Sequence, residues 1–280
     1  MATYGEVIEV QRLTPRYVRV ILGGDGLDEY QNTEFTDQYV NALFVPDGAP
    51  YQVPFDVDEA RQLPSEHRPI GRRYTIRSWD ESTRRLAIDF VVHGDVGTAG
   101  RWANNAQPGD LLQIHGPSGG YAPDPDADRY LMVGDESALP AIAASLEQVA
   151  PGQRTVVVVV VDDADHRLDL ASPGDVDLHL ELDTPADLEL VWLHRCDAVD
   201  PDHVLNAVMA LGPLDGRVDV FVHGEAAEVR AVRRHLLGER EISRDQTSIS
   251  PYWRRGQNDE EWRQVKADWI KASDDDLNPA

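Results

Sequence analysis

Four short stretches of the chain hold side chains whose types and spacing can do chemistry. The first is Arg72-Arg73-Tyr74-Thr75, within RRYTIRSWD. On a strand, positions 72 and 74 share a face because side chains alternate. A cation, an aromatic ring and a hydroxyl grouped in this way suit a flavin dinucleotide. Arg72 would meet the pyrophosphate, Thr75 the ring N5, and Tyr74 would wall the ring. An ordinary exposed strand accounts for the same residues. The second stretch is HGDVGTAG, His93 to Gly100, leading into Arg101 and Trp102. Backbone N–H groups and the dipole at a helix start bind phosphate, and small residues at 97–100 let a phosphate come close. A plain turn capped by Thr98 is the competing reading. The order of the two blocks, an RxYT strand and then a glycine-rich helix start, favours the ligand.

The third stretch is VGDESALPA, Val133 to Ala141, after a candidate strand. It departs from GxGxxG, and two acids beside a phosphate are unfavourable. A nicotinamide-ribose contact by Asp135 and Glu136 fits better than a pyrophosphate contact. A helix start capped by Ser137 is the alternative. The fourth is SPYWRRG, Ser250 to Gly256, followed by EWRQVK, Glu261 to Lys266. Tyr252 and Trp253 can close over a flat ring. Arg254, Arg255, Arg263 and Lys266 make a basic patch that suits an anion. Trp262 and Trp269 read as anchors of a docked helix.

These stretches need elements to position them. Residues 1–122 read as short strands with turns between them: a hairpin over Gly5 to Leu22, then Tyr39 to Val45, Arg73 to Ser78, Leu86 to Val92, and Leu111 to His115, ended by Gly116-Pro117. That pattern predicts a six-stranded antiparallel barrel. APDPDAD, Ala122 to Asp128, is a linker by its Pro and Asp content. Residues 129–245 then alternate strand and helix, which predicts an open parallel sheet. The strands are Arg129 to Val133, Thr155 to Val161, Val176 to Leu182, Leu188 to Leu193 and Val218 to His223. The helices are Ala138 to Val149, Asp202 to Leu211 and Ala226 to Leu237. Residues 246–280 form a strand and helix segment, with the helix over Asp259 to Lys271, expected to close over the flavin and substrate.

Composition narrows the function. The 280 residues carry a formal charge of −24, so nucleic acid and anionic membrane surfaces are unfavourable partners. One cysteine, Cys196, leaves no internal disulfide and no four-cysteine cluster. The histidines show no metal spacing, and Asp162, Asp163 and Asp165 read as a solvated turn. MATYGEVIEV lacks the basic-then-apolar pattern of a leader, and the longest strongly apolar run is Val156 to Val161, far below the roughly 20 residues of a membrane helix. A cytoplasmic monomer is expected.

RRYTIRSWD, HGDVGTAGRWANNAQPGDLLQIHGPSGG, VGDESALPAI, VHGE with RAVRRHLL, and YWRRGQNDEEWRQVK follow one another as in the siderophore-interacting proteins. The chain resembles that family from about Tyr4 to Trp269. The resemblance implies a two-domain, ferredoxin-reductase-like fold: an FAD-binding antiparallel barrel over 1–122 and an NAD(P)H-binding α/β domain over 129–245. It implies bound FAD, NADH or NADPH as donor, and reduction of Fe(III) held by a siderophore. Arg72, Tyr74 and Thr75 would contact flavin and phosphate. Val91, Val92 and His93 would line the flavin. Gly97, Thr98, Ala99 and Trp102 would hold the pyrophosphate end. Asp135, Glu136 and Ala138 would lie near the nicotinamide. Trp253 would meet cofactor, and Arg254, Arg255, Arg263 and Lys266 would border the siderophore. No side-chain acid or base is implied. Two positions depart from the family pattern, Pro251 for Gly and Ser137 for Thr, and neither removes a required group. A general flavin reductase and a non-catalytic siderophore-binding protein are the competing functions. Asp162 and Asp163 would repel a 2′-phosphate and favour NADH, while Arg167 and Arg195 pull the other way.

Overall fold

The computed structural model describes residues 2–92, 94, 97–168, 188–197 and 202–277. The chain divides into two compact units, Met1–Ala122 and Pro123–Ala280.

In the first unit the strands are β1 (Thr3–Thr14), β2 (Tyr17–Gly23), β3 (Tyr39–Phe44), β4 (Ile70–Asp80), β5 (Arg85–Val91) and β6 (Leu111–Ser118). They close into a barrel in the order β1-β2-β5-β4-β3-β6, all neighbours antiparallel. Alternation drives the closure. Val18, Val20 and Leu22 of β2 and Leu86, Ile88 and Phe90 of β5 enter one buried cluster, each such side chain contributing roughly 1.5–3 kcal/mol. Closure also leaves no unpaired edge. Strand β6 runs on to Ser118, which pairs with Tyr39 of β3, past the Gly116-Pro117 step where the sequence pattern ended it. Helix α1 (Val57–Arg61) is absent from the sequence reading, because five residues are too few to show a helical period. Asp56 caps it, accepting from the N–H groups of Asp58 and Glu59. Helix α2 (Thr98–Asn105) buries Ala99 and Ala103, both members of the barrel cluster.

The second unit contains β7 (Arg129–Asp135), α3 (Leu139–Leu146), β8 (Arg154–Val161), β9 (Leu188–His194), α4 (His203–Ala210), β10 (Val218–Glu225), α5 (Ala226–Arg234), β11 (Thr247–Trp253) and α6 (Asp259–Asp275). The sheet order is β11-β10-β7-β8-β9 and every neighbouring pair is parallel. Every residue of β10, and all of β8 after Arg154, is buried, and the unbroken valines of β8 are what a strand covered on both faces requires. The expected strand Val176 to Leu182 lies outside the described residues. Strand β11 is the sheet's edge beside β10. Helix α6 begins with a capping box between Asn258 and Glu261 and is tied to α5 by Arg230 with Asp276 and Arg233 with Asp274. Among the described residues no helix is long and apolar enough to cross a membrane.

The chain runs from β7 outward to β8 and β9, then returns to β10 on the other side of β7. The order therefore reverses between β7 and β10. In open parallel sheets ligands bind outside the carboxyl ends of the strands at such a reversal.

Candidate functional site

Strand β4 carries Arg72 and Tyr74 on one face and Thr75 on the other. Arg72 and Tyr74 are half-buried and Thr75 is buried. The Tyr74 ring lies 4.3 Å from the Phe90 ring, so the barrel core fixes its plane. Arg72 donates to the Gly71 carbonyl at 2.9 Å, which tethers the guanidinium beside the strand. Of the strand end expected to line a flavin, Val91 is half-buried, Val92 belongs to the core, and His93 lies outside the described residues.

Gly97 sits at the start of α2 with φ 81, a left-handed conformation that favours glycine. Thr98 is the first helical residue rather than the cap, which is Gly97 and offers no side chain of its own. Among the described residues, nothing but the immediate chain neighbours lies within 4 Å of where a Cβ on Gly94 or Gly97 would stand. Ala99 is buried in the barrel cluster. Trp102 packs at 5.7 Å from Phe44 and 5.8 Å from Phe90, so its ring serves the barrel rather than the helix start. A half-buried arginine, an oriented tyrosine and a helix start with glycine at its cap fit a flavin dinucleotide: cation and dipole for phosphates, ring for ring.

At the reversal in the second unit the centre is Asp135, the last residue of β7 and only 1% exposed. Its Oδ1 accepts from the Ser137 N–H at 2.8 Å and the Ser137 hydroxyl at 2.5 Å. Its Oδ2 accepts from the Glu225 N–H at 2.9 Å and the Trp253 indole N–H at 2.7 Å. Burial pushes its pKa up, and Arg195 opposes the shift. Ala138 is also buried, against Gly134, where a Cβ would stand 2.6 Å from the Ala138 Cβ. Asp135 and Ala138 are thus committed internally, which leaves neither side chain open to a nicotinamide.

Glu136 is held by Arg195, whose Nη1 lies 2.7 Å from both carboxylate oxygens. Arg195 also reaches Asp162 at 3.4 Å and Asp135 at 3.6 Å. Burial works against the guanidinium charge, but Glu136 and Asp135 overcome it and hold the group above its usual pKa. Its Cζ lies 5.8 Å from the Trp253 ring centroid. Arg167, the other candidate for a 2′-phosphate, donates to His194 at 2.9 Å.

The sequence reading gave no role to Glu225 or Glu228. Glu225 caps α5 through the N–H groups of Ala227 and Glu228 and accepts from the Arg255 N–H at 3.0 Å. That carboxylate closes the α5 start to phosphate. Glu228 is pushed up to about 7, by burial first and the Asp135 charge second. The signal was in VHGEAAE, acids at the last residue of β10 and in the first turn of α5. His223 stacks on Phe221 at 3.9 Å, meets the Ser248 hydroxyl at 2.9 Å and is held down to about 3 by burial, so it is a neutral core residue.

The four expected substrate cations differ in how they are held. Arg255 pairs with Glu228 at 3.6 Å and Arg263 with Asp259 at 2.9 Å. Lys266 donates to the Pro251 carbonyl at 2.8 Å, tying α6 to β11. Arg254 is exposed.

A six-stranded antiparallel barrel followed by a five-stranded parallel sheet is a ferredoxin-reductase-like fold. The ferredoxin reductase of carbazole 1,9a-dioxygenase shares this fold with a TM-score of 0.64, at 18% identity over 90% of this chain and 70% of that one. Residues 6–121 match the siderophore-interacting FAD-binding domain, and residues 127–182 and 175–256 match the siderophore-interacting protein model. The chain belongs to the siderophore-interacting protein family. It is 33% identical to ferric vibriobactin reductase ViuB of Vibrio cholerae over 281 residues, 92% of this chain and 96% of that protein. It is 39% identical to the NADPH-dependent ferric-chelate reductase of Escherichia coli over 145 residues, 51% of this chain and 56% of that one. The solved structure of the siderophore-interacting protein SipS from Aeromonas hydrophila superposes with a TM-score of 0.76 at 29% identity, covering 96% of this chain and 97% of SipS.

Proposed function

We propose that this protein is a cytoplasmic FAD-dependent NAD(P)H:ferric-siderophore oxidoreductase. The observation that carries the reading is the family match along both halves of the chain, together with 33% identity to a ferric vibriobactin reductase over 92% of this chain. The barrel of residues 1–122 is read as the FAD domain and the parallel sheet as the NAD(P)H domain, with 246–280 bordering the substrate.

Bound FAD supplies chemistry that side chains lack, accepting a hydride as an electron pair and releasing electrons singly. The protein's residues bind and orient. Arg72 and the first turn of α2 would hold the pyrophosphate, Tyr74, whose ring the barrel core fixes, would wall the flat ring, and Thr75 would offer a hydroxyl. At the sheet edge Arg195 and the carboxylates around it set the charge that a dinucleotide meets. Arg254, with Arg255, Arg263 and Lys266 on the same segment, supplies positive charge to an anionic ferric chelate. One NAD(P)H reduces two Fe(III) to Fe(II), leaving NAD(P)⁺ and a proton. Hard oxygen ligands hold Fe(II) far less tightly than Fe(III), so reduction releases the metal. The test mixes purified protein with NADH or NADPH, a ferric siderophore and an Fe(II) chelator. Trapped Fe(II) well above a free-FAD control supports the reading, and a rate equal to that control rejects it.

A further inference from the structure

We propose that Asp135 is a positioning residue that holds Trp253 as a fixed wall for the nicotinamide of NAD(P)H, without touching the dinucleotide itself. This rests on NAD(P)H binding at the sheet's carboxyl edge, as read above.

Asp135 ends β7 and Trp253 ends β11, with β10 between them. One carboxylate spans that gap. Two donors of Ser137 occupy Oδ1, and the Glu225 N–H and the Trp253 indole N–H occupy Oδ2. Four hydrogen bonds use the acceptor sites a carboxylate has, so none is left for a ligand. Trp253, by contrast, is half-buried and keeps ring surface open.

Gly224 makes the crossing possible. A Cβ there would stand 2.7 Å from Asp135 Oδ2, and its φ of 144 disfavours any other residue. Arg195 steadies the same indole, 5.8 Å from the ring centroid and 3.6 Å from Asp135 Oδ2. An aromatic ring pinned at its N–H and steadied by a cation loses little freedom when a flat ring stacks on it, so the stacking energy is not consumed in ordering the wall. Losing the pin frees the indole and weakens binding before any chemistry begins.

The test uses the flavin-loaded full chain and two substitutions. Trp253→Phe keeps a flat ring and deletes the donor, and Asp135→Asn replaces one acceptor oxygen with a donor. Calorimetric titration with the redox-inert 1,4,5,6-tetrahydro analogues of NADH and of NADPH, which cannot reduce the flavin, gives Kd without turnover, KM and kcat are measured with NADH and NADPH in parallel, and thermal melts report folding. Each substitution is expected to raise Kd and KM about tenfold, the worth of one such hydrogen bond, with kcat within about twofold. The double variant is expected to be no worse than the weaker-binding single one, because both changes remove one contact. Losses that multiply in the double variant overturn the proposal. So does Trp253→Phe binding both dinucleotides as tightly as the parent, a result that stands even if Asp135→Asn does not fold. Failure of the unaltered protein to bind either dinucleotide overturns instead the reading on which this one rests.

Discussion

Arg195 places one guanidinium nitrogen 2.7 Å from each carboxylate oxygen of Glu136. These are the first residues past β9 and β7. Asp162, the first residue past β8, lies 3.4 Å from the same nitrogen. One arginine thus ties the carboxyl ends of three parallel strands, in a setting where Asp135, Glu136 and Asp162 would otherwise repel one another.

Removing that cation should cost more than removing one of its partners. Arg195→Ala leaves the buried Asp135 and half-buried Glu136 without a counter-charge, a loss of about 3–5 kcal/mol for a pair broken from one side. At about 2–4 °C per kcal/mol for a chain of this size, thermal unfolding should fall by about 10 °C. Glu136→Gln should lower it by a smaller amount, since Asp135 and Asp162 still face the guanidinium. An Arg195→Ala melt within about 2 °C of the parent contradicts the account.

Glu228 makes stability fall on the alkaline side. Its pKa is raised from 4.5 to about 7, with Asp135, Glu225, Arg195 and Arg255 around it. The unfolded chain gives up this proton first, so stability that is full below 4.5 is lost as pH rises through about 7. The linkage amounts to about 3 kcal/mol. Glu228→Gln should therefore unfold like the parent near pH 4 and at a higher denaturant midpoint near pH 8. Equal midpoints at both pH values would show that Glu228 ionises normally.

In the barrel, Arg72→Gln removes a half-buried cation from the proposed pyrophosphate site. Charge-assisted hydrogen bonds are worth about 1.5–3 kcal/mol, so FAD should bind about 10- to 100-fold more weakly. The check is the ratio of flavin to protein absorbance after purification, followed by titration of stripped protein with FAD. Full retention of flavin removes Arg72 from the site.

Arg254 is exposed, and its guanidinium forms no ion pair among the described residues. Arg254→Gln should raise KM several-fold for an anionic ferric chelate and leave a neutral chelate unchanged. The difference should shrink as salt screens the charges. The same rise for both chelates would mean that the side chain acts by shape and not by charge.

The architecture was legible where the pattern is long and repeated. Alternation in β2 and β5 and the unbroken valines of β8 announced a barrel and a covered parallel sheet. The short α1 carried no period, and Gly116-Pro117 looked like a terminus because proline cannot donate, yet β6 continues beyond it. In the site, residue types could be read but side-chain commitments could not. Asp135 and Glu136 are adjacent acids in one motif. Nothing in VGDES tells that one is buried as an acceptor for Trp253 and the other is gripped by Arg195. Those contacts join residues far apart in the chain, and only the sheet order β11-β10-β7-β8-β9 brings them together.

On the proposed function, electrons pass from a nicotinamide to siderophore-bound iron on this protein. The most direct measurement is anaerobic stopped-flow absorbance of the purified yellow protein. NADH or NADPH should bleach the flavin band, and a ferric siderophore should then restore it as Fe(II) appears in a chelator, two iron atoms for each NAD(P)H consumed. A protein that carries no flavin, or one whose bleached band stays bleached when the ferric siderophore is added, contradicts the account.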